Sequence, residues 1–359
     1  MDRIAVFASG RHRAHDPHQE IEASAIQPPY EHPGRADVIR AALTVDDRFV
    51  LHEPPRAGTT PIEAVHDPGL VRFLATAWEQ YQREVGPTHD VVPDVFALPG
   101  LRAGMDPPAE PIPVAARLGW WCYETTTPLT AGTFDAACSA VDCALAATDA
   151  VLGGAPLAYG LCRPPGHHAA RGLYGGYCFF NNAAVAAAHA VRASHGRVVV
   201  LDVDYHHGNG TQQIFYARDD VGFVSLHGDP RRAYPYLTGY EDETGTGRGS
   251  GCTRNVPLPA GTDDEAYLAA LEVALDAVDA MAPELVIVSL GVDTYADDPI
   301  CDLALTTEGM ARCGAAVAAR GHPLVVLQEG GYADAALGAN VRAWLLGAMA
   351  ATEDDRPGR

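Results

Sequence analysis

Four short runs of the sequence carry the side chains that water-activating chemistry needs: Arg163-Pro-Pro-Gly-His167-His168, Asp202-Val-Asp204-Tyr-His206-His207, Gly291-Val-Asp293 and Glu329-Gly-Gly-Tyr332. Asp204, His206 and Asp293 form a mixed carboxylate and imidazole set that suits a divalent first-row metal, and three protein ligands leave positions open for water and substrate. Such an ion lowers the pKa of bound water toward ~7 and polarises a carbonyl oxygen, the two things amide hydrolysis requires. His168, with its neighbour His167, is the candidate to take the water proton and return it to the leaving amine. Asp202 and Asn209 are candidates to orient those imidazoles. Tyr332, presented by a Gly-Gly turn, can donate its hydroxyl to the developing oxyanion. Taken singly these features are ordinary, since strand-end aspartates often form turns and tyrosines often pack in cores. Their convergence at successive strand ends points to a metal site.

The elements that must present these runs are legible from hydrophobic periodicity. Leu157–Leu161, Arg197–Asp204, Val221–Leu226, Glu284–Leu290 and Pro323–Gln328 read as strands, and the β-branched run in 197–204 suits a strand covered on both faces. Between and after them, Phe134–Leu152, Asn181–Ser194, Asp263–Met281, Thr306–Ala319 and Ala335–Met349 read as helices. This alternation predicts a single-domain α/β fold with a central, mainly parallel β-sheet flanked by helices. In such sheets ligands sit beyond the carboxyl ends of the strands, which is where all four runs lie. Earlier in the chain, Met1–Ala8 opens into a strand-like run, and helices are expected at Gly34–Leu43 and Gly69–Glu84. A proline-rich loop follows over Gly86–Pro113, within a substrate loop spanning 86–127. One domain is expected over 1–352, with a polar tail at 353–359.

Composition limits the partners. The 359 residues carry 46 acidic against 25 basic side chains, a formal charge of -21, so a phosphate backbone is repelled and no nucleic-acid partner is expected. All the basic residues are arginine, which excludes a Schiff-base lysine and the lysine of a P-loop. The eight cysteines form no C-x-x-C pair and read as small core residues. No export signal and no 18-residue uninterrupted apolar span is visible, so a cytoplasmic protein with no membrane partner is expected. A homo-oligomer, dimer or tetramer, is the expected assembly.

The motifs together resemble the zinc-dependent histone deacetylase family, most closely its bacterial acetylpolyamine amidohydrolases and histone deacetylase-like amidohydrolases. The resemblance rests on Arg163-Pro-Pro-Gly-His-His-Ala169, Gly175-Gly-Tyr-Cys-Phe-Phe-Asn-Asn182, Asp202-Val-Asp-Tyr-His-His-Gly-Asn-Gly-Thr211, Ser289-Leu-Gly-Val-Asp-Thr294 and Glu329-Gly-Gly-Tyr332, in order over about residues 28–349. It implies the arginase-deacetylase fold and a zinc-dependent hydrolase removing acetyl or other acyl groups from primary amines such as acetyl-lysine or acetylpolyamines. It further implies one catalytic Zn2+ on Asp204, His206 and Asp293, His168 as general base and acid, His167 as its electrostatic partner, and Tyr332 as the carbonyl-polarising group. Gly176, Tyr177, Tyr234 and Ile300 correspond to the walls of a substrate tunnel. A structural K+ is implied at Asp202, Asp204, His206, Ser225 and Leu226, and a second near Phe215, Arg218 and Val221.

Two departures from the family pattern bear on specificity. Asn209 stands where many members carry Asp, which leaves His168 oriented by a neutral amide and less basic. At the places of the acids that select polyamines the sequence has Thr126 and Ala115, with Glu124 nearby but offset, so broad use of acetylated amines without strong polyamine preference is expected. Competing readings are an arginase-type ureohydrolase and a non-catalytic acyl-amine-binding regulator. The first needs a second bridging carboxylate where Tyr295 stands, and the second should have lost a ligand, a histidine or the tyrosine, none of which is missing.

Overall fold

The computed structural model describes residues 3–106, 109–194 and 196–354. Among the described residues there are ten strands: β1 (Ile4–Phe7), β2 (Glu20–Glu22), β3 (Ala25–Gln27), β4 (Phe49–His52), β5 (Leu157–Gly160), β6 (Val198–Asp202), β7 (Val221–Gly228), β8 (Thr253–Leu258), β9 (Leu285–Leu290) and β10 (Leu324–Gln328). Eight of them form one parallel sheet in the order β4-β1-β5-β10-β9-β6-β7-β8, while β2 and β3 pair as a separate antiparallel hairpin. Strands β5, β10, β9 and β6 are the ones whose ends carry the four candidate runs, and they are neighbours at the centre of the sheet. Their carboxyl ends therefore open into one place.

Side chains alternate along each central strand, and both faces are buried. Val199, Leu201, Val286, Val288, Leu290, Leu324 and Val326 pack on the helices Gly34–Thr44, Asp264–Ala280, Thr307–Ala318 and Asp334–Asp354. Val198, Val200, Leu285, Ile287, Val325 and Leu327 face the opposite way, onto Thr133–Leu152 and Asn182–Ser194. The continuous apolar strand runs reflect this two-sided cover. Gly160 shows how closely one layer sits, since a Cβ there would meet the Cys143 carbonyl oxygen at 3.2 Å and the Leu327 side chain at 2.9 Å.

Several elements differ from the sequence expectation. The run 69–84 is two helices, Pro68–Leu74 and Ala77–Glu84; at Thr76 the backbone leaves the helical region (φ -133) while its hydroxyl takes the Arg72 carbonyl. Strand β6 stops at Asp202 rather than 204, because the Asp202 carboxylate accepts the Asp204 N–H and turns the chain. The short edge strands β4 and β8 and the hairpin were not expected, and β8 contains a proline and a polar face that hide it from a periodicity search. The 86–127 loop contains a helix, Val114–Trp121, and its residues 107 and 108 lie outside the described ones. The last helix continues to Asp354, past the start of the expected 353–359 tail, and 355–359 lie outside the described residues. Among the described residues no helix is long and apolar enough to cross a membrane.

The loop bearing the histidine pair is tied down by His66, which is fully buried. Its Nδ1–H donates to the Ala170 carbonyl (3.0 Å) and its Nε2 accepts the Asn181 N–H (2.9 Å), while the Asn181 amide reaches the carbonyls of His167 and Ala169. Burial lowers the His66 pKa from 6.5 to about 4. The unfolded chain thus takes up this proton first as pH falls. The stabilising contribution of the neutral ring is complete above pH 6.5 and is lost progressively down to about 4, a span worth roughly 3 kcal/mol. His12 and His227 are depressed in the same direction by burial. Urea unfolding of the parent and of His66→Gln is accordingly expected to show the parent losing about 3 kcal/mol more than the variant between pH 7 and pH 4. An equal loss in the two would mean that His66 is charged in the folded protein.

Candidate active site

The two histidines after β5 sit on an anchored loop. Arg163 is 2% exposed; its Nε donates to Glu31 (2.8 Å) and its Nη1 to the carbonyls of His12 (2.7 Å) and His15 (2.8 Å). His167 Nδ1 lies 3.1 Å from Asp202 Oδ2, and its Nε2 lies 3.7 Å from Asp204 Oδ1. His168 Nδ1 lies 2.6 Å from Asn209 Oδ1, so it donates there and leaves Nε2 with a free lone pair. Asp202 and Asn209 are thus brought to the two imidazoles.

The environments drive the pair apart. Burial disfavours the charged form of His167, but the carboxylates of Asp204 and Asp202 outweigh it and push the pKa up to about 10. Burial, together with the neighbouring charges of His167 and His206, holds His168 well below its usual range. A cationic imidazole therefore stands beside a neutral one, the arrangement that separates an electrostatic role from a proton-accepting one.

Asp204, His206 and Asp293 converge from the ends of β6 and β9. Their potential donor atoms all lie within 4.8 Å of one another, with His206 Nδ1 3.3 Å from Asp204 Oδ1 and 3.1 Å from Asp293 Oδ2. Both carboxylates are fully buried, and among the described residues no arginine pairs with either. Burial and the adjacent Asp204 charge push Asp293 up to about 7, while the two carboxylates overcome burial to raise His206 to about 9. Two buried carboxylates sharing one imidazole form a donor set that fits a divalent ion, which would stand in place of the proton they now hold on that ring.

Tyr332 reaches the same place from the end of β10. Gly330 passes so close to the ligands that a Cβ there would meet Asp293 Oδ2 at 2.4 Å and Asp204 Oδ2 at 2.5 Å; Gly331 then turns with φ +124. Arg35 donates to the carbonyls of Gly331 (2.6 Å) and Glu329 (2.9 Å) and lies over the Tyr332 ring, 4.5 Å from its centroid. The Tyr332 N–H donates to Asp298 (2.7 Å). No side chain among the described residues takes the Tyr332 hydroxyl.

These groups floor a cleft of about 430 Å3 whose lining includes His168, His206, Gly176, Tyr177, Tyr234, Ile300 and Tyr332. All four expected wall residues are there. Tyr234 stands edge-on to His168, with centroids 5.0 Å apart, and Tyr177 lies 5.8 Å from Tyr332. At Gly176 (φ +58) a Cβ would meet the His168 ring at 2.4 Å, so the wall presses on the base.

Sequence reasoning missed part of the cleft. Glu22, from the β2–β3 hairpin, also lines it, and nothing local in sequence connects it to the site, while Phe96 reaches it from the expected 86–127 substrate loop without having been singled out. Glu124 lines it as well, accepting the Gly176 N–H at 3.0 Å and bonding Thr126 and Thr127, whereas Ala115 sits on the helix 114–121 and is not in the lining. Arg35 was likewise not foreseen. Ser225 neighbours Asp202 across β6 and β7, with its hydroxyl 2.8 Å from His227 Nδ1, and Leu226 follows it on the buried strand. Near the second expected cation position, the Arg218 N–H bonds the Phe215 carbonyl, its guanidinium pairs with Asp220, and Val221 begins β7.

Residues 29–348 match the histone deacetylase domain family. The chain belongs to that family. Acetylpolyamine amidohydrolase 2 of Pseudomonas aeruginosa is 42% identical over 332 residues, covering 92% of this chain and 95% of that one. The acetylpolyamine amidohydrolase of Mycoplana ramosa is 40% identical, with 94% and 97% covered. The crystal structure of the acetylpolyamine aminohydrolase of Burkholderia pseudomallei superposes with a TM-score of 0.91 at 39% identity, covering 97% of this chain and 99% of that one. The fold is therefore the deacetylase fold, and membership in this family places the protein among hydrolases.

Proposed function

We propose that the protein is a zinc-dependent amidohydrolase that removes the acetyl group from acetylated primary amines, acetylpolyamines foremost. The observation that carries this reading is the convergence, at the floor of one aromatic slot, of the free Nε2 of His168, the unpartnered hydroxyl of Tyr332 and the Asp204–His206–Asp293 donor set. Zinc bound by those three residues would supply Lewis-acid polarisation of the acetyl carbonyl and a lowered pKa for water. His168 Nε2 accepts the water proton and then delivers it to the leaving amine nitrogen, so the products are acetate and a free amine. His167, cationic between Asp202 and Asp204, holds positive charge beside that transfer. Tyr332 donates to the oxygen on which negative charge develops. The rings of Tyr177 and Tyr234 hold a slender aliphatic stem and exclude water from it. Asp202, Asp204, His206, Ser225 and Leu226 would hold a structural K+, and the enzyme would act in the cytoplasm as a homo-oligomer.

The acids of the cleft support acetylpolyamines as the substrate class. Thr126 and Ala115 argued from sequence for no strong polyamine preference, but Glu22 and Glu124 both line the cleft, and the whole molecule carries -21. A second ammonium on the substrate is attracted both by these carboxylates and by the faces of the aromatic walls, the latter worth about 0.5 to 2 kcal/mol. The deciding measurement compares kcat/KM of the zinc-loaded protein on acetylputrescine and on an acetyl-lysine peptide. A preference of about tenfold or more for acetylputrescine is expected; equal values, or a preference for the peptide, would overturn the polyamine assignment.

A further inference from the structure

The run Glu329-Gly-Gly-Tyr332 contains a carboxylate that the proposed chemistry does not use. Glu329 is fully buried, yet among the described residues no arginine pairs with its side chain. Its Oε2 accepts two successive backbone N–H groups, from Gly166 (2.6 Å) and His167 (3.1 Å), and the Ser289 hydroxyl lies 3.4 Å from its Oε1. A buried carboxyl with no arginine on it is costly even beside the charged His167 ring, so the groups it hydrogen-bonds indicate what it is for. Here they are the backbone immediately before the histidine pair, a concave pair of N–H groups of the kind that receives an anion.

The other end of Glu329 is held with equal firmness. Its N–H donates to the Leu290 carbonyl (2.9 Å), its own carbonyl accepts from Arg35 (2.9 Å), and Gly330 N–H donates to Asp204 (2.7 Å). Three residues later the same turn delivers Tyr332. One side chain therefore joins the loop after β5, which carries His167 and His168, to the turn after β10, which carries Tyr332. Strands β5 and β10 are neighbours, but their hydrogen-bonded register ends at Gly160 and Leu327, so nothing in the sheet itself sets the spacing of the two loops beyond that point.

We propose that Glu329 is a positioning residue whose buried side chain clamps the Gly166 and His167 N–H groups and so sets the imidazoles of His167 and His168 relative to the Tyr332 hydroxyl. The role is geometric and needs an acceptor oxygen of the right reach rather than a full charge. An amide can fill it, since a glutamine oxygen accepts both N–H groups and its NH2 can donate to Ser289. An aspartate cannot, being one methylene short, and an alanine leaves two buried donors unpaired. Misplacement of a reacting group by about 1 Å costs about 100-fold in rate.

The test uses Glu329→Ala, Glu329→Asp and Glu329→Gln in the zinc-loaded full chain. Glu329→Ala and Glu329→Asp are expected to lower kcat by about 10- to 100-fold with KM within about twofold of the parent, and Glu329→Gln to retain kcat within about threefold. The inference rests on the proposed deacetylase activity, so a second readout is independent of turnover: amide hydrogen exchange across residues 163–169 in the metal-free chain. Exchange there should accelerate in the Ala and Asp variants and match the parent in the Gln variant. If the Ala variant fails to fold, the Asp and Gln pair decides. Parent-like exchange and kcat in the Asp variant, or a Gln variant as impaired as the Asp one, would overturn the clamp. Failure of the parent to deacetylate any acetylated amine, with the exchange pattern as expected, would instead overturn the functional reading alone.

Discussion

Asp293→Ala is expected to abolish both metal binding and deacetylation while leaving the chain folded. The two remaining donors, Asp204 and His206, cannot hold a tetrahedral ion tightly. The fold should survive because Asp293 is itself a source of electrostatic strain: its carboxyl is buried, and burial plus the Asp204 charge pushes its pKa to about 7. Removing it relieves like-charge repulsion at the cost of the His206 Nδ1 contact at 3.1 Å, which Asp204 still supplies, and of the backbone hydrogen bond from Tyr205 N–H at 2.9 Å, the latter worth about 1 kcal/mol. Elemental analysis, thermal melting and a deacetylation assay on the same preparation check all three parts. The parent should contain one zinc per chain. A parent active only with two transition metals per chain, or a variant that keeps its zinc, would show that the ligand set is misassigned.

Tyr332→Phe should keep zinc and leave KM nearly unchanged while lowering kcat by about 10² to 10³. The hydroxyl acts on charge that appears only in the transition state, and one such donor is worth about 2.7 to 4 kcal/mol. The ring should stay where it is, because the Arg35 guanidinium that lies over it, 4.5 Å from the centroid, stacks on phenyl as well as on phenol. The Asp298 contact is to the backbone N–H and is also retained. Steady-state kinetics on acetylputrescine measures the split, and a variant with the parent kcat would mean that the hydroxyl does not reach the reacting carbonyl.

How much of this was readable before folding depends on the range over which each feature is determined. The ends of β5, β6, β9 and β10 were legible because a strand buried on both faces is a continuous apolar run, and the first polar residues after it mark its carboxyl end. Asp204, His206, Asp293, His168 and Tyr332 could be nominated on that basis. The break at Thr76 and the edge strands β4 and β8 were not legible, because short or interrupted segments carry too few residues for a period to emerge.

The sequence by itself determined the parallel α/β class, the chemistry of the strand ends and the absence of any lysine, since each is a matter of residue type and local spacing. The tertiary structure decided which groups meet. Strand β10 is last in the chain but inserts between β5 and β9, and this places Glu329 against the backbone of His167, 162 positions away, and Tyr332 in the same cleft as His168. The β2–β3 hairpin brings Glu22 to the same cleft as Glu124, and the first long helix brings Arg35 under Tyr332. Such contacts depend on sheet order and on packing across the two faces, which are set by the burial of whole layers and leave no mark at any single position of the chain.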